Sequence, residues 1–345
     1  MRLLITGGAG FIGSNFIRYY LSKYKDCFIT NLDKLTYAGN LDNLKGIEKD
    51  KRYKFVKGDI CNLKLVEKLM KDTDIAVHFA AETHVDRSIM EAGEFIKTDI
   101  YGTFSMLNAA KQFNIRKFVH ISTDEVYGSI EKGYFTEDSP LMPRNPYSAS
   151  KAGADRLAYS YYTTYNLPVI ITRSSNNFGY YHHPEKLIPL FTTNAIDNIL
   201  LPLYGDGLNK RDWLFVLDNC EAIDFVMNNG QIGEVYNIAS GNEKSNIEIT
   251  KFILKELNKS ESLIEYVKDR LGHDRRYALD ATKIRKLGWK PKYSFENALK
   301  LTIKWYVQNQ AWWRKIKESK HFSNYYKTQY VKRNAGLQTH TNSTR

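Results

Sequence analysis

Two adjacent carboxylates, Asp124 and Glu125, stand in the segment STDEVYG at residues 122–128, where a strand is expected to end. Two carboxyl groups within a few ångströms cannot easily both ionise, so the pKa of one rises and that group keeps its proton. It can then act as an acid while its neighbour acts as a base. The pair is therefore a candidate for general acid and base catalysis, although the spacing does not assign the two roles.

A tyrosine and a lysine form a second candidate pair in NPYSASKA, where Tyr147 and Lys151 are four residues apart and so share one face of a helix. A phenol becomes a useful base only if its pKa falls by about 3 units, which takes roughly 4 kcal/mol. A lysine cation about 4 Å away supplies about that much at an effective dielectric of about 20. The pair predicts that Tyr147 is a base and that Lys151 lowers its pKa.

A glycine-rich turn, LLITGGAGFIGSNF, places Gly7, Gly10 and Gly13 between the first strand and the first helix. Glycine allows the turn to be tight and the backbone to approach a pyrophosphate, which the helix N-terminus attracts. Asp33 follows 20 residues after Gly13, at the end of the second strand. Its carboxylate can accept hydrogen bonds from an adenosine ribose and would repel a 2′-phosphate, so the cofactor is predicted to be NAD rather than NADP.

Further residues are predicted to contact this cofactor. Asp59 and Ile60 in KGDI would meet the adenine edge, and the small residues Ala80 and Ala81 stand where a strand must pass close to the cofactor. Lys151 would also hold the nicotinamide ribose. The predicted cofactor site is completed by Phe11, Ile12, Lys34 and Asn176.

The elements that must position these residues alternate between short apolar runs and helical patterns through the first half of the chain. Runs such as RLLIT, CFITNLD, IAVHFAA and KFVHIST predict strands of a parallel sheet with helices on both faces. The fold class is therefore α/β, a Rossmann-type doubly wound sheet with a smaller, discontinuous C-terminal domain. RDWLFVLDNCEAIDFVMNN and EVYNIAS predict a return to the sheet.

The expected domains follow from this pattern. The NAD-binding domain is expected over residues 1–179 and about 211–240, and the smaller domain over about 180–210 and 241–330. The polar end VKRNAGLQTHTNSTR predicts a disordered tail at 331–345.

Composition narrows the function class less than the motifs do. The chain of 345 residues has a formal net charge of +12, which suits an acidic partner such as nucleic acid, an anionic membrane or a phosphorylated small molecule. Cys27, Cys61 and Cys220 lack the spacing of a disulfide framework or a zinc site, so no metal is predicted. No run reaches the roughly 20 apolar residues of a membrane span, and a cytoplasmic protein is expected.

Taken together, these motifs resemble those of the extended short-chain dehydrogenase/reductase superfamily and its NAD-dependent epimerase/dehydratase family. The resemblance covers residues 1 to about 313 and includes LTYAGNLDNL, AAETHVDRSI, STDEVYG, NPYSASKA, SSNNFG, HPEKLIPL, LPLYGDGLNKRDWL and DRLGHDRRYALD. Several of these segments are similar to those of members that dehydrate nucleotide sugars, and the Asp-Glu pair marks chemistry beyond hydride transfer.

The resemblance implies a hydro-lyase that converts dTDP-glucose to dTDP-4-keto-6-deoxyglucose in the biosynthesis of rhamnose or another deoxysugar. The steps would be C4 oxidation, loss of water across C5 and C6, and hydride return to C6, with NAD regenerated in each turnover. Tyr147 would take the proton of the C4 hydroxyl, aligned by Thr123. Glu125 would remove the C5 proton and Asp124 would protonate the leaving C6 hydroxyl.

The resemblance also implies that the smaller domain binds the sugar nucleotide. It implies a second copy of the chain as a partner as well. Arg211 and Arg270 would contact the diphosphate, Pro202 and Tyr204 would flank the base, and His84 and Ser88 would lie near the sugar or diphosphate. The remaining implied substrate residues are Asn177, Lys186, Leu187, Asn246 and His273. A homodimer is implied, packed through helices near 99–112 and 147–165.

Two alternatives stay open at this point. A 4-epimerase or a decarboxylase of a UDP-sugar would share every motif except the roles of Asp124 and Glu125, and UDP-glucose is a possible substrate of a dehydratase as well. A non-catalytic NAD sensor or nucleic-acid-binding protein would suit the net charge. However, the basic residues are spread along the chain rather than concentrated on one element with interleaved aromatics.

Overall fold

The computed structural model describes residues 1–269 and 272–332. Twelve strands form in this part of the chain. They are β1 (Arg2–Thr6), β2 (Phe28–Asp33), β3 (Tyr53–Lys57), β4 (Ile75–His78), β5 (Lys117–Thr123), β6 (Val169–Ser174), β7 (Asn176–Phe178), β8 (Leu201–Tyr204), β9 (Lys210–Phe215), β10 (Val235–Ile238), β11 (Glu243–Ser245) and β12 (Ile264–Val267).

Thirteen α-helices alternate with and follow these strands. They are α1 (Phe11–Lys23), α2 (Leu63–Met70), α3 (Val85–Met90), α4 (Ala92–Phe95), α5 (Thr103–Gln112), α6 (Pro146–Tyr165), α7 (Leu187–Ile196), α8 (Val216–Asn229), α9 (Asn246–Glu256), α10 (Thr282–Lys286), α11 (Phe295–Gln308), α12 (Gln310–Lys317) and α13 (Lys320–Tyr326). Short 3₁₀ or π-helical turns occupy Leu41–Leu44, Ile96–Gly102, Asp124–Tyr127, Glu261–Leu263 and Lys327–Lys332.

The main sheet has seven parallel strands in the order β10-β6-β5-β4-β1-β2-β3. Alternate side chains of β1 enter two different cores, because Leu3 and Ile5 pack with one apolar cluster and Leu4 with the other. Helix α1 contacts α8, and α5 contacts both α2 and α6. The predicted α/β class with a doubly wound sheet is confirmed.

Helix α6 carries the predicted Tyr147 and Lys151, and its start is fixed by local chemistry. The Asn145 side chain accepts a hydrogen bond from the Ser148 backbone N–H at 2.9 Å, and the Ser148 hydroxyl oxygen accepts one from the Asn145 backbone N–H. Pro146 occupies the first helical position, which needs no N–H donor. Tyr147 therefore stands in the first turn and Lys151 one turn later.

Two small sheets lie outside the main sheet, with the strand orders β11-β9-β7 and β12-β8. The prediction that RDWLF returns to the main sheet was wrong, since β9 pairs with β7 and β11. Only VYNI, as β10, returns and pairs with β6. An apolar run predicts a buried strand but does not reveal its neighbour. The predicted domain limits stay a prediction.

The C-terminal part of the described chain folds back as α12 and α13 and the turn Lys327–Lys332. The predicted tail began at residue 331, so the structure places Val331 and Lys332 in this last turn. The remaining residues of the predicted tail lie outside the described residues.

Two properties bear on the function classes weighed above. Within residues 1–269 and 272–332, no helix combines the length and apolar character needed to cross a bilayer. The same residues contain no group of three or more histidine, cysteine or acidic side chains arranged to hold a metal ion. All three cysteines are free thiols, and Cys27 and Cys220 are buried.

A buried ion pair ties α6 to β6 beneath the predicted site. Arg173 contacts Asp155 through two hydrogen bonds of 2.9 Å, and both side chains are almost fully buried. Burial opposes ionisation of Asp155, but the hydrogen bonds and charge of Arg173 outweigh it and hold the Asp155 pKa well below its usual range. The Asp155 carboxylate is therefore charged at neutral pH.

We expect Asp155→Ala to lower the free energy of unfolding by about 3–5 kcal/mol, because it leaves the Arg173 charge buried without its main partner. Urea denaturation measures the loss. Asp72→Ala is the matched control, since its pair with Arg2 is exposed, and it should cost about 1 kcal/mol or less. Equal, small losses for both variants would show that the buried pair contributes little.

Candidate functional site

A single cleft collects most of the predicted residues at the carboxyl ends of the main-sheet strands. It lies where the strand order reverses between β1 and β4, the position at which open α/β sheets bind ligands. Its walls include the following predicted cofactor and catalytic residues: Gly7, Gly10, Phe11, Ile12, Gly13, Asp33, Lys34, Asp59, Ile60, Ala80, Ala81, Thr123, Asp124, Glu125, Tyr147 and Asn176.

The glycine turn packs so closely against neighbouring backbone that Gly7 and Gly13 leave no room for a Cβ. Gly7 has a φ of +71°, and a Cβ there would lie 2.7 Å from the Ala80 backbone nitrogen. A Cβ at Gly13 would lie 2.4 Å from the Gly7 carbonyl oxygen. Helix α1 begins at Phe11, and the preceding residue, Gly10, provides no side-chain cap. The first N–H groups of α1 can therefore serve an anionic ligand.

The end of β2 presents a carboxylate beside this turn. Asp33 accepts hydrogen bonds from the Ala9 and Leu35 backbone N–H groups at 2.9 and 2.8 Å, which fix its orientation. Burial raises the Asp33 pKa, against the opposing effect of these two hydrogen bonds. Lys34 forms an ion pair with Asp59 at 2.9 Å. This donor and acceptor set fits the ribose and adenine of a dinucleotide.

The tyrosine and lysine of α6 are placed differently from the expectation. Lys151 is buried beneath the cleft and donates a hydrogen bond to the Ile121 carbonyl oxygen at 2.7 Å. Burial lowers the Lys151 pKa, and the carboxylates of Asp99 and Asp155 oppose that effect. The lysine charge is thus shared with acidic neighbours and the β5 backbone.

The predicted lowering of the Tyr147 pKa is not produced by the protein alone. Burial raises the Tyr147 pKa well above its usual value, and the carboxylates of Glu125 and Asp99 add to this rise. A hydrogen bond with Thr123 acts in the opposite direction. The calculation from a lysine cation took no account of desolvation or of the acidic neighbours.

The two adjacent carboxyl groups differ in environment. Thr123 is the last residue of β5. Its hydroxyl accepts a hydrogen bond from the Glu125 backbone N–H at 3.3 Å and donates one to Asp124 Oδ1 at 3.2 Å. Asp124 is 2% exposed. Burial first, and then the charge of Glu125, raises the Asp124 pKa to about 8. Asp124 therefore holds a proton at neutral pH and can act as an acid.

Sequence reasoning missed Asp99, a second buried carboxyl group next to the catalytic candidates. Asp99 lies in the π-helical turn Ile96–Gly102 and accepts hydrogen bonds from the Glu82 backbone N–H at 2.8 Å and the Ser150 hydroxyl at 2.6 Å. Burial raises its pKa to about 6, against the opposing charge of Lys151. The sequence around Asp99 has no motif that we connected with catalysis, so no signal pointed to it.

The predicted substrate residues divide into two groups. Asn177, Lys186 and Leu187 line the cleft. The following residues do not contribute to its walls: His84, Ser88, Pro202, Tyr204, Arg211, Asn246 and His273. Arg270 lies outside the described residues. The structure thus brings the cofactor and catalytic residues together in the cleft, whereas most of the predicted nucleotide residues lie outside its walls.

Arg211 is one of the predicted nucleotide residues that lie outside the cleft walls. It is 5% exposed, and its guanidinium donates to the backbone carbonyl oxygens of Lys210 and Asp274 at 2.7 and 2.8 Å. The same guanidinium lies 4.3 Å from the centre of the Tyr277 ring. A cation held in this way is oriented before any ligand arrives.

The cleft also has an aromatic wall that the sequence analysis did not identify. His182 stacks on Phe11 with ring centres 4.1 Å apart, and Tyr181 packs against Trp312 at 5.9 Å. The neighbouring Glu185 forms an ion pair with Arg87 at 3.0 Å. Tyr181 and His182 precede the motif HPEKLIPL, and the contact of Tyr181 with Trp312 joins distant parts of the sequence, so no local pattern predicts this wall.

Comparisons with known proteins agree with this geometry. The family profile described as GDP-mannose 4,6 dehydratase matches residues 4–302. The low-salt glycan biosynthesis protein Agl12 of Haloferax volcanii is 55% identical over 89% of this chain and 99% of its own. The dTDP-glucose 4,6-dehydratase of Streptomyces niveus is 49% identical over 92% of this chain and 96% of its own.

A solved structure extends the similarity to three dimensions. It is the crystal structure of DesIV, a dTDP-glucose 4,6-dehydratase from Streptomyces venezuelae, with NAD and TYD bound. It aligns with a TM-score of 0.90 at 49% identity, over 92% of this chain and all of its own. The resemblance seen in the motifs therefore holds for the fold as a whole.

Proposed function

This chain belongs to the GDP-mannose 4,6-dehydratase family, and from that membership we propose that it dehydrates dTDP-glucose to dTDP-4-keto-6-deoxyglucose. The observation that carries the proposal is the Asp124–Glu125 pair, in which one carboxyl group keeps its proton beside Tyr147 in the cleft. The names of two relatives, one of them crystallised with NAD and TYD, support the choice of a dTDP-sugar.

NAD is the cofactor that the cleft fits. The glycine turn with the start of α1 would hold the pyrophosphate, Asp33 the adenosine ribose, and Lys151 the nicotinamide ribose. When bound, NAD supplies an oxidant for C4, a reductant for C6 and, in its oxidised form, a positive charge. The residues Gly7, Gly13 and Asp33 leave space and acceptors where such a dinucleotide requires them.

Tyr147 takes the proton of the C4 hydroxyl. Burial and nearby carboxylates raise its pKa, so the phenol stays protonated until positive charge offsets them. Thr123 shares a hydrogen bond with Tyr147 and is placed to align the same oxygen of the sugar. The phenol must release its own proton before it can take that of the C4 hydroxyl, so oxidation at C4 is confined to the complex in which positive charge has lowered the Tyr147 pKa.

The carboxyl pair then eliminates water. The C4 ketone acidifies C5, and the ionised carboxylate of Glu125 removes the C5 proton. Asp124, protonated because burial and Glu125 raise its pKa, gives its proton to the C6 oxygen as the C–O bond breaks. One water leaves and a C5–C6 double bond forms. Glu125 then returns its proton to C5 and becomes a carboxylate again, while Asp124 is reprotonated by the proton that Tyr147 took from the C4 hydroxyl.

The roles of this pair predict a pH dependence. We expect kcat for dehydration to fall as the pH rises through about 8, because Asp124 loses the proton that it must donate. A profile of kcat against pH from mildly acidic to alkaline values measures this. Asp124→Asn cannot ionise at this position and should lack the alkaline limb. A wild-type profile that stays flat well above the Asp124 pKa would exclude Asp124 as the acid.

The substrate and reaction are tested directly with two sugar nucleotides. Purified protein is incubated with dTDP-glucose and, separately, with UDP-glucose, and the products are followed by mass spectrometry. A product lighter by one water without net accumulation of NADH supports the dehydratase, and the faster substrate identifies the nucleotide. An unchanged mass with a galactosyl product would replace it with a 4-epimerase.

A homodimer is the proposed assembly. Large apolar side chains remain exposed on the helices expected to pack against a second subunit, among them Tyr101, which is 45% exposed, and Tyr159 on α6, which is 39% exposed. Burial of such side chains in a subunit interface would explain their presence on the surface. Sedimentation equilibrium should give twice the mass of one chain, whereas the mass of a single chain would exclude the dimer.

A further inference from the structure

The last described part of the chain, residues 320–332, lies on the residues predicted to bind the nucleotide. Gln329 donates a hydrogen bond to the Tyr204 hydroxyl at 2.7 Å, and the Tyr330 ring stacks on the Tyr204 ring with centres 5.8 Å apart and planes inclined by 24°. Gln329 and Tyr330 are both buried. We call residues 320–332 the C-terminal segment.

A second contact reaches the predicted sugar or diphosphate residues. The Tyr325 hydroxyl lies 3.3 Å from His84 Nε2, and the two rings meet edge to face with centres 5.3 Å apart. The Tyr325 hydroxyl also lies 3.5 Å from Asp86. The C-terminal segment therefore contacts two predicted substrate residues that do not line the open cleft, His84 and Tyr204.

The chemistry of the Tyr204 contact is the chemistry of base recognition. A nucleobase binds an aromatic side chain by stacking on its face, and an amide nearby satisfies polar edges. Tyr330 and Gln329 supply a ring and an amide from the chain itself. A nucleobase and Tyr330 would compete for the same surface of Tyr204.

The beginning of the segment is held by a cluster of charged and aromatic side chains. Arg87 on α3 lies 3.8 Å from the centre of the Tyr37 ring and 4.8 Å from that of Tyr325, and it forms an ion pair with Glu185 at 3.0 Å. His321, in the first turn of α13, stacks on Tyr37 with centres 5.2 Å apart. None of these contacts involves residues 326–332, so they can persist while that end of the segment moves.

We propose that the C-terminal segment is a displaceable lid that fills the nucleobase end of the site until a nucleoside diphosphate dislodges it. The inference rests on the proposed function, since it takes Tyr204 as the residue that stacks on the base. The segment lies beyond residues 4–302, which the family profile matches. The profile therefore does not describe this segment.

The test uses full-length protein, dTDP and UDP as probes, and two measurements. Hydrogen–deuterium exchange of peptides from residues 325–332 should become faster when dTDP is added. Tyr330→Ser should bind dTDP about three- to tenfold more tightly than wild type, because the ring of residue 330 no longer competes with the nucleobase for the surface of Tyr204. Gln329→Ala should shift the affinity in the same direction. Tyr134→Ser, which removes an exposed tyrosine outside the C-terminal segment and outside the helices of the proposed dimer, should leave it unchanged.

The outcomes separate the lid from the reaction. Weaker or unchanged dTDP binding by both segment variants, or slower exchange of residues 325–332 on dTDP addition, would overturn the lid and make the segment part of the base site or a static element. Faster exchange with dTDP in a protein that fails to dehydrate dTDP-glucose would keep the lid and reject the proposed function. Turnover without any change in exchange would reject the lid alone.

Discussion

Tyr147→Phe is expected to lower kcat for dTDP-glucose by about 10³-fold, the usual size of a lost general base. The ring would keep its edge-to-face contact with Phe95, at 6.2 Å between centres, so the cleft keeps its shape. Only the phenol oxygen that receives the C4 proton is removed. Steady-state kinetics give kcat, and fluorescence titration should show that NAD binds the variant as it binds wild type.

A conservative control lies on the same helix. Tyr161→Phe removes the hydroxyl of another buried tyrosine of α6, one that packs against Tyr165 rather than the cleft. It should retain at least half of the wild-type kcat. A loss of less than tenfold in Tyr147→Phe, or an equal loss in both variants, would show that another group receives the proton.

The second large effect is expected from the carboxyl pair. Asp124→Asn should slow water loss by about 10²- to 10³-fold, because the amide cannot donate the proton that the C6 oxygen needs. Oxidation at C4 does not use this proton and should survive. Mixing the variant with dTDP-glucose in a single turnover should therefore cause NADH absorbance to rise and persist, whereas wild type should show no lasting rise.

Exchange in deuterium oxide separates the two carboxyl groups. Glu125→Gln should also block dehydration, but it removes the base and so should prevent exchange of the C5 proton in recovered sugar. Asp124→Asn should keep that exchange. If both variants exchange C5 equally, or if Asp124→Asn loses C4 oxidation as well, the assignment of acid and base would be wrong.

The sequence predicted those parts of the site that depend on local backbone geometry. The turn at Gly7 and Gly13 could be predicted from its glycines. A Cβ at either position would collide with a backbone atom, so only glycine fits there. Asp33 could be read because it ends β2 next to that turn. The Asp124–Glu125 pair is adjacent in the sequence, which predicts a raised pKa from the repulsion between the two groups, but in the structure burial of Asp124 contributes more to the rise in its pKa than the charge of Glu125 does.

Features set by distant neighbours could not be predicted in the same way. The Tyr147 pKa rises because the phenol is buried near Asp99, which lies 48 positions earlier in the chain (147 − 99). Strand β9 joins β7 and β11 because of pairing that periodicity does not encode. The contact of Tyr330 with Tyr204 joins two residues that lie far apart in the sequence. Each depends on tertiary packing rather than local propensity.

The position of β10 at the edge of the main sheet has a consequence for how the protein is made. β10 pairs with β6, yet β7, β8 and β9 lie between them in the sequence and belong to other sheets. A ribosome must therefore release the chain past Ile238 before the seventh strand can dock. Pairing over such a distance slows folding. Until then the nascent chain exposes the unpaired edge of β6, which makes this interval the one in which a chaperone would matter most.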